Sequence, residues 1–405
     1  MKHSGIEWIG DIPSDWEIKR FKYLVVDIKS GDSLTNEMLS DDDTLYPVYG
    51  GGKQIGYYEK SNVTSSNILI GRVGANCGCI TKLIGKAWAT DNALIVNSND
   101  KTNYLYYLLL TTNLNNMSDA NAQPLITASK VLNIKIPFCV NIQEQSAIVT
   151  FLDTRCEKID TIIAIVETII SELNEYKNQL AVKCTTKGIR KTKLKQSNID
   201  WVGEMPEHWK ALPLFAVFNE HKCKNLNMQE DNLLSLSYGK IIRKDINTDD
   251  GLLPDNFEGY NIVEKGDIVL RLTDMQNDQR SLRTGLVRER GIITSAYVTI
   301  RNKVNANSDY LRYLLHSTDI CKIIYNFGSG IRQNLTFDGL KSMPLVLPPI
   351  DEQKEITEYL DKKFKVVDNL ITLKQQKIAE LKEYKKSLIY EYVTGKKEPT
   401  KEVYE

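Results

Sequence analysis

Ser4-Gly5-Ile6-Glu7-Trp8-Ile9-Gly10-Asp11-Ile12-Pro13-Ser14-Asp15-Trp16 returns in the same chain as Ser197-Asn198-Ile199-Asp200-Trp201-Val202-Gly203-Glu204-Met205-Pro206-Glu207-His208-Trp209, an offset of 193. Two tryptophans, a glycine and a proline align without a gap, and self-similarity at a fixed distance decides an architecture before local propensity does. A second block follows. Ile142-Gln143-Glu144-Gln145, Phe151-Leu152-Asp153, Ile159-Asp160 and Glu172-Leu173-Asn174-Glu175-Tyr176-Lys177 reappear as Ile350-Asp351-Glu352-Gln353, Tyr359-Leu360-Asp361, Val367-Asp368 and Glu380-Leu381-Lys382-Glu383-Tyr384-Lys385, an offset of 208. The chain is thus written twice, with divergent inserts in a shared frame.

The second block reads as helix. No glycine or proline occurs from Gln143 to Thr186 or from Asp351 to Thr394. Leu152, Ile159, Val166, Leu173 and Leu180 fall seven apart, with Cys156, Ile163 and Ile170 between them, which is a heptad seam. The later copy supplies Leu360, Phe364, Val367, Ile371, Ile378, Leu381 and Leu388, interrupted by Lys374 and Lys385, and Gly395 stops it. Helices of roughly 60 Å follow from 1.5 Å per residue. A lone heptad helix cannot bury its stripe, and the other copy is the available partner. A short basic link (Lys187, Arg190, Lys191, Lys193, Lys195) carries the chain into a second domain, so the second helix must run back, antiparallel to the first. The expected fold is α+β: two mixed α/β domains at opposite ends of a long antiparallel two-helix coiled coil with a pseudo-two-fold axis. A plain spacer or dimerisation stalk would also carry heptads; duplication with divergent inserts favours a ruler between two readers.

The inserts show short apolar or alternating runs between Gly, Asn and Ser turns. In the first these are Leu45–Tyr49, Ile68–Arg72, Cys79–Leu83 and Ala93–Val96, then a helix near Tyr104–Leu114. In the second they are Leu233–Ser237, Ile268–Leu272 and Tyr297–Ile300, then a helix over Asp309–Tyr325. Both suggest a mostly antiparallel sheet. The Trp-x-Gly-x-x-Pro-x-x-Trp blocks read best as aromatic plugs closing each domain against the helices.

The residue types that read base edges cluster in a few loops. Arg271, Gln276, Asn277, Gln279, Arg280 and Arg283 combine guanidinium and amide groups suited to guanine and adenine edges. From Arg271 to Arg290 the charge is five arginines minus Asp274, Asp278 and Glu289, or +2. Arg332, Gln333 and Asn334 have similar chemistry, as do Arg72, Asn76 and Gln123, and Lys53 after Gly50-Gly51-Gly52 offers close phosphate approach. Each alone is more often just a solvated polar loop; the set together is expected to be the DNA-binding set.

Other chemistry is missing. Lys+Arg equals Asp+Glu at 52 each, so DNA-binding charge must be local or supplied by partners. Seven scattered cysteines contain no CxxC pair, which reads as reduced thiols rather than a disulfide framework or zinc site. No Gly-x-x-x-x-Gly-Lys-Ser/Thr loop and no Gly-x-Gly-x-x-Gly after a strand occurs. Leu347-Pro348-Pro349-Ile350 lacks the polar and aromatic ends of an adenine-methylation pocket, and the four histidines are far apart. No catalytic centre, no bound metal and no membrane span are expected. With no signal-peptide core at the start of the sequence, the expected location is the cytoplasm.

Two Trp-x-Gly-x-x-Pro-x-x-Trp blocks opening divergent domains, each followed by Ile-x-Glu-Gln and a long helix, the second ending Tyr392-Val393-Thr394-Gly395-Lys396, resemble the specificity (S, HsdS) subunits of Type I restriction-modification systems over the whole chain. The first copy departs from this, with Cys184-Thr185-Thr186-Lys187-Gly188. The resemblance implies target recognition domains at 1–141 and 191–349, spacer helices at 142–190 and 350–395, and a mobile tail at 396–405. It also implies a non-catalytic subunit that binds a bipartite asymmetric double-stranded DNA target. Two methyltransferase (M) subunits and two restriction (R) subunits would assemble on it. S-adenosylmethionine, ATP and magnesium would sit on those partners, none on this chain. The competing expectation is a coiled-coil adaptor displaying two protein-binding domains.

Overall fold

The computed structural model describes residues 1–63, 67–98, 101–117, 124–246, 256–273, 275, 282–327 and 335–399. The chain divides into two compact units, Met1–Val166 with Gln375–Glu405, and Glu167–Lys374. The cut passes through both long helices, Ile142–Lys187 and Ile350–Val393. Each helix therefore contributes about half its length to each unit, and its apolar stripe belongs to the core of the unit beside it.

In unit 1 a four-stranded antiparallel sheet has the order Asp27–Ser30, Ala93–Asn97, Asn67–Gly71, Ile80–Leu83. The central strand Asn67–Gly71 is buried along its whole length, which is why it reads as an unbroken apolar run. A hairpin of Tyr46–Gly50 and Lys53–Tyr58 pairs with Trp88–Ala89 in parallel. Helix Thr102–Leu110 buries Tyr104, Leu105, Leu108 and Leu109 under the sheet. It is shorter than the expected Tyr104–Leu114, because Asn113 takes a left-handed φ of 43° and a 3-10 turn follows. Strand Glu17–Arg20 pairs with Lys135–Phe138 and carries the chain into the long helix.

Unit 2 repeats this plan. Its sheet runs Phe218–Glu220, Val298–Asn302, Ile268–Leu270, Thr284–Leu286, the same strand order by position in the chain. The closing pair is Lys210–Pro213 with Pro344–Leu347. A hairpin, Leu234–Ser237 with Lys240–Arg243, and a further two-stranded pair, Asn261–Val263 with Gly291–Ile293, stand as separate small sheets in the same unit. The helix Ser308–Ile320 stops five residues short of the expected Tyr325, where Lys322 at φ 60° turns the chain.

The helix pair is antiparallel within each unit. In unit 1 the Lys385 Nζ meets Asp160 Oδ2 at 2.6 Å and Phe151 stacks on Tyr392 at 4.3 Å, so one number falls as the other rises. In unit 2 Lys177 pairs with Asp368, and Arg190 Nε donates to Glu355 Oε2 at 2.9 Å. Leu152, Cys156, Ile159 and Ile163 join Leu388, Ile389, Tyr392 and Val393 in one core, as Cys184 joins Ile356 and Leu360 in the other.

The aromatic blocks prove to be the joints. Trp16 is 1% exposed and its indole N–H donates to Glu144 Oε1 at 3.0 Å; Trp209, also 1% exposed, donates to Glu352 Oε2 at 3.1 Å. Each tryptophan thus grips the first turn of one long helix, where the carboxylate also faces the positive helix end. The glycine ending the other helix packs against the same block. A Cβ on Gly395 (φ 69°) would come within 2.3 Å of Pro13 Cδ, and one on Gly188 (φ 70°) within 3.0 Å of Trp209 Cζ2. Only glycine fits both the left-handed turn and that approach.

Candidate nucleic-acid interface

The strand–loop–strand at the edge of each sheet carries Arg72 and Asn76 in unit 1 and Arg271 in unit 2, and the hairpin beside Asn76 carries Lys53. In unit 1 Arg72 follows the central strand, with its N–H bonded to Asn92 O at 2.9 Å and Nη1 at 3.5 Å from Ser30 Oγ. Its Nε has no hydrogen-bond partner among the described residues. The segment leading out of 118–123 returns to this place, since Gly74 N–H donates to Pro124 O at 3.2 Å and Ile126 N–H to Arg72 O at 2.9 Å. Asn76 lies against the hairpin turn: a Cβ on Gly51 would sit 3.4 Å from Asn76 Cβ. The turn is a two-residue one, with Gly51 at φ 60° and Gly52 at φ 83°, and Lys53 follows it, exposed.

Unit 2 has the same arrangement. Arg271 follows the central strand Ile268–Leu270, and the segment after 328–334 returns through Leu335 N–H to Leu272 O at 2.9 Å. The hairpin turn is Tyr238-Gly239 (φ 47° and 74°), again with a lysine, Lys240, immediately after it. Gly239 lies beside the described end of the loop, 3.6 Å from Leu282 Cδ2 once a Cβ is placed on it. Sequence reading missed Lys240. The available signal was the alternation Leu234-Ser235-Leu236-Ser237 followed by a Tyr-Gly turn and then a lysine, the hairpin pattern that also precedes Lys53.

Arg283 is a correction. It is 1% exposed, and its guanidinium donates to Arg271 O (3.1 Å), Thr273 O (3.0 Å), Met275 O (3.4 Å) and Tyr325 Oη (3.1 Å). A planar five-donor group is here spent on the backbone of its own loop, so it shapes that loop and presents no face to a base. Gln123, Gln276, Asn277, Gln279, Arg280, Arg332, Gln333 and Asn334 lie outside the described residues.

An open cleft of about 820 Å³ adjoins this edge in unit 2, with Tyr238, Lys240, Arg312, Lys365 and Lys177 among its walls. Lys177 is spoken for by Asp368, and Arg288 by Asp309. Lys240 and Lys365 make no ion pair among the described residues. His316, also in the wall, is pushed down to about 4 by burial and by nearby Arg312 and Lys177, so it is neutral at pH 7. Among the described residues no group of three or more His, Cys, Asp and Glu could hold a metal ion, and no helix is long and apolar enough to cross a membrane.

Two α+β modules on one repeated frame, each ending in a hairpin turn with lysine and an arginine-bearing loop, define a duplicated reader protein. The Type I restriction modification DNA specificity domain matches residues 13–175 and 216–383, one copy per module, and the chain belongs to that family as a specificity subunit. It is similar to the MjaVIII type I restriction enzyme specificity subunit of Methanocaldococcus jannaschii, at 24% identity over 95% of this chain and 93% of that one. It is also similar to the EcoprrI specificity subunit of Escherichia coli, at 29% identity over 36% of this chain and 34% of the relative. Among solved structures, a chain from work on complex assembly and conformational transition of the type I R-M system superposes with a TM-score of 0.66 and 14% identity, covering 95% of this chain and 99% of that one. That likeness speaks for the fold. Membership in this family makes the chain a DNA-specificity subunit and not an enzyme.

Proposed function

We propose that this subunit reads a bipartite, asymmetric double-stranded DNA target, one half with each unit, and seats two methyltransferase subunits and two restriction subunits in the cytoplasm. The observation that carries the reading is the repeated edge with unlike residues: Gly51-Gly52-Lys53 with Arg72 and Asn76 in one unit, Tyr238-Gly239-Lys240 with Arg271 in the other. Equal frames place these edges alike, and unlike side chains read unlike bases. Lys53, Arg72, Asn76, Gln123, Arg271, Gln276, Asn277, Gln279, Arg280, Arg332, Gln333 and Asn334 form the proposed contact set, with half-sites about one helical turn apart on the duplex.

A repeated apolar surface supports the paired partners. Ile162 and Ile165 are 46% and 54% exposed on the first long helix, and their equivalents Leu370 and Leu373 are 42% and 61% exposed on the second. Tyr384 and its equivalent Tyr176 are 56% and 45% exposed at the same level of each pair. Exposed leucine, isoleucine and tyrosine spaced three apart on a helix face favour a protein partner. S-adenosylmethionine, and ATP with magnesium, would then be held by the methyltransferase and restriction partners.

Co-expression with the cognate methyltransferase subunit, followed by genome-wide mapping of N6-methyladenine, tests this. The expected motif is gapped, two-part and asymmetric, and loses one half when Arg271 is changed. An ungapped motif would overturn the reading.

A further inference from the structure

We infer that the Leu234–Arg243 hairpin of unit 2 is itself a DNA-contacting element, with the Tyr238 ring stacking against the duplex and Lys240 taking a phosphate. This rests on the proposed DNA reading and adds the residues that would make the unit 2 half-site differ in kind from the other. Three observations carry it.

First, Tyr238 is 77% exposed and sits at the tip of a two-residue turn. Second, its φ is 47°, in the left-handed region where a bulky side chain is strained and Gly, Asn or Asp is favoured. The corresponding turn position in unit 1 is Gly51 at φ 60°, which makes the same turn without that strain. An exposed aromatic held in an unfavourable backbone conformation, with no burial in return, points to a role outside folding. Third, the tip lies where DNA is already expected. It borders the arginine-bearing loop through Gly239 and Leu282, and its neighbour Lys240 forms the lip of a cleft that also carries Lys365 and Arg312.

Duplex DNA fits this chemistry better than a protein ligand. An aromatic or apolar wedge beside a cation is how many proteins lean on a base step while neutralising the adjacent phosphate. Stacking tolerates sequence, whereas a lysine after the turn fixes register on the backbone. In unit 1 the glycine turn supplies only the lysine, Lys53.

The test uses the complex of this subunit with its methyltransferase and a labelled duplex bearing the wild-type methylation motif. Tyr238→Asn is expected to weaken target binding about tenfold while the unfolding midpoint stays level or rises, because asparagine accepts the left-handed turn. Tyr238→Phe should bind as the wild type does. Lys240→Ala should weaken target and non-target DNA alike and lower the slope of log affinity against log salt by about 1. If Tyr238→Asn binds and methylates as the wild type does, the inference is wrong. It is equally wrong if Tyr238→Asn loses affinity only by unfolding. A wild-type complex with no salt-dependent DNA affinity would instead defeat the underlying DNA reading.

Discussion

The joints of the two units are nearly interchangeable and their reading edges are not. Trp16 and Trp209 make the same indole bond to the glutamate at the third residue of a long helix, and Gln145 and Gln353 donate to Cys139 O at 2.7 Å and Pro348 O at 2.8 Å. Tyr107 and Tyr313 donate to Asp153 and Asp361 at 2.7 and 2.6 Å. These contacts set where each sheet stands on its helix pair. The edges carry no such constraint. Gly51 stands at the turn position where unit 2 has Tyr238, and the loop from a central strand to the edge strand of the sheet spans 72–79 in one unit and 271–283 in the other. Placement is repeated while the edge residues differ, the division of labour that the proposed two-part recognition would require.

The joints are the strongest place to break this equivalence. Trp16→Ala and Trp209→Ala should each cost about 3–5 kcal/mol, and hydrogen exchange read by mass spectrometry should localise the loss to the unit carrying the change. Equal loss in both units would mean that the joints do not act separately. Among the described residues of unit 1 no arginine is buried as Arg283 is, so the second break is one-sided. Arg283→Met leaves three backbone carbonyls without their donor and should cost about 3 kcal/mol in unit 2, with Arg283→Lys recovering part of it. Urea midpoints measure both. An Arg283→Met variant as stable as the wild type would return Arg283 to the surface readers.

The frame was legible because it is local and periodic. The seam residues Leu152, Ile159, Leu360, Val367 and Leu388 are all buried, and the aromatic blocks announced themselves by repetition. The strands were placed to within a residue or two where apolar runs were long, as at Asn67–Gly71 and Ala93–Asn97. What escaped depends on partners distant in sequence. Tyr238-Gly239-Lys240 becomes an edge only once the hairpin lies beside Leu282, and Arg283 is internal only because its own loop curls carbonyls around it. Composition assigns an arginine to the surface, and nothing in the neighbouring letters says that its donors will be satisfied by backbone. The helix ends were overrun because Asn113 and Lys322 adopt positive φ, for which asparagine gives a weak cue and lysine gives none.

A third difference concerns pH. His316 lies on the helix of unit 2 where unit 1 has Leu110, both six residues after the tyrosines Tyr310 and Tyr104. Burial lowers the His316 value from 6.5 to about 4. The unfolded chain then binds the proton more readily than the folded one between those values. Stability from this group is complete above pH 6.5 and is lost as pH falls toward 4. Unit 2 should therefore soften between pH 6.5 and 5 while unit 1 does not, and His316→Leu should flatten the difference. Thermal melts of the two chains at pH 7.5 and 5.5 compare them directly. A wild-type melt no more acid-sensitive than that of His316→Leu would show that folding does not lower the His316 value.

The smallest effect probes the helix pairs themselves. Lys385 with Asp160, and Lys177 with Asp368, are the same ion pair in the two units, and in each the carboxylate is more than half exposed. Exposed pairs of this kind contribute about 0.5 kcal/mol, so a double-mutant cycle on Asp160→Asn and Lys385→Met should return a coupling near that size, shrinking as salt rises. The cycle on Asp368→Asn and Lys177→Met should give more. The Lys177 ammonium also lies 4.9 Å from the Phe364 ring centre, a cation–π contact for which Lys385 has no counterpart among the described residues. Removing the ring with Phe364→Leu should bring the second coupling down to the first. If the two cycles already agree before that change, the ring adds nothing and the pairs are equivalent in energy as well as in position.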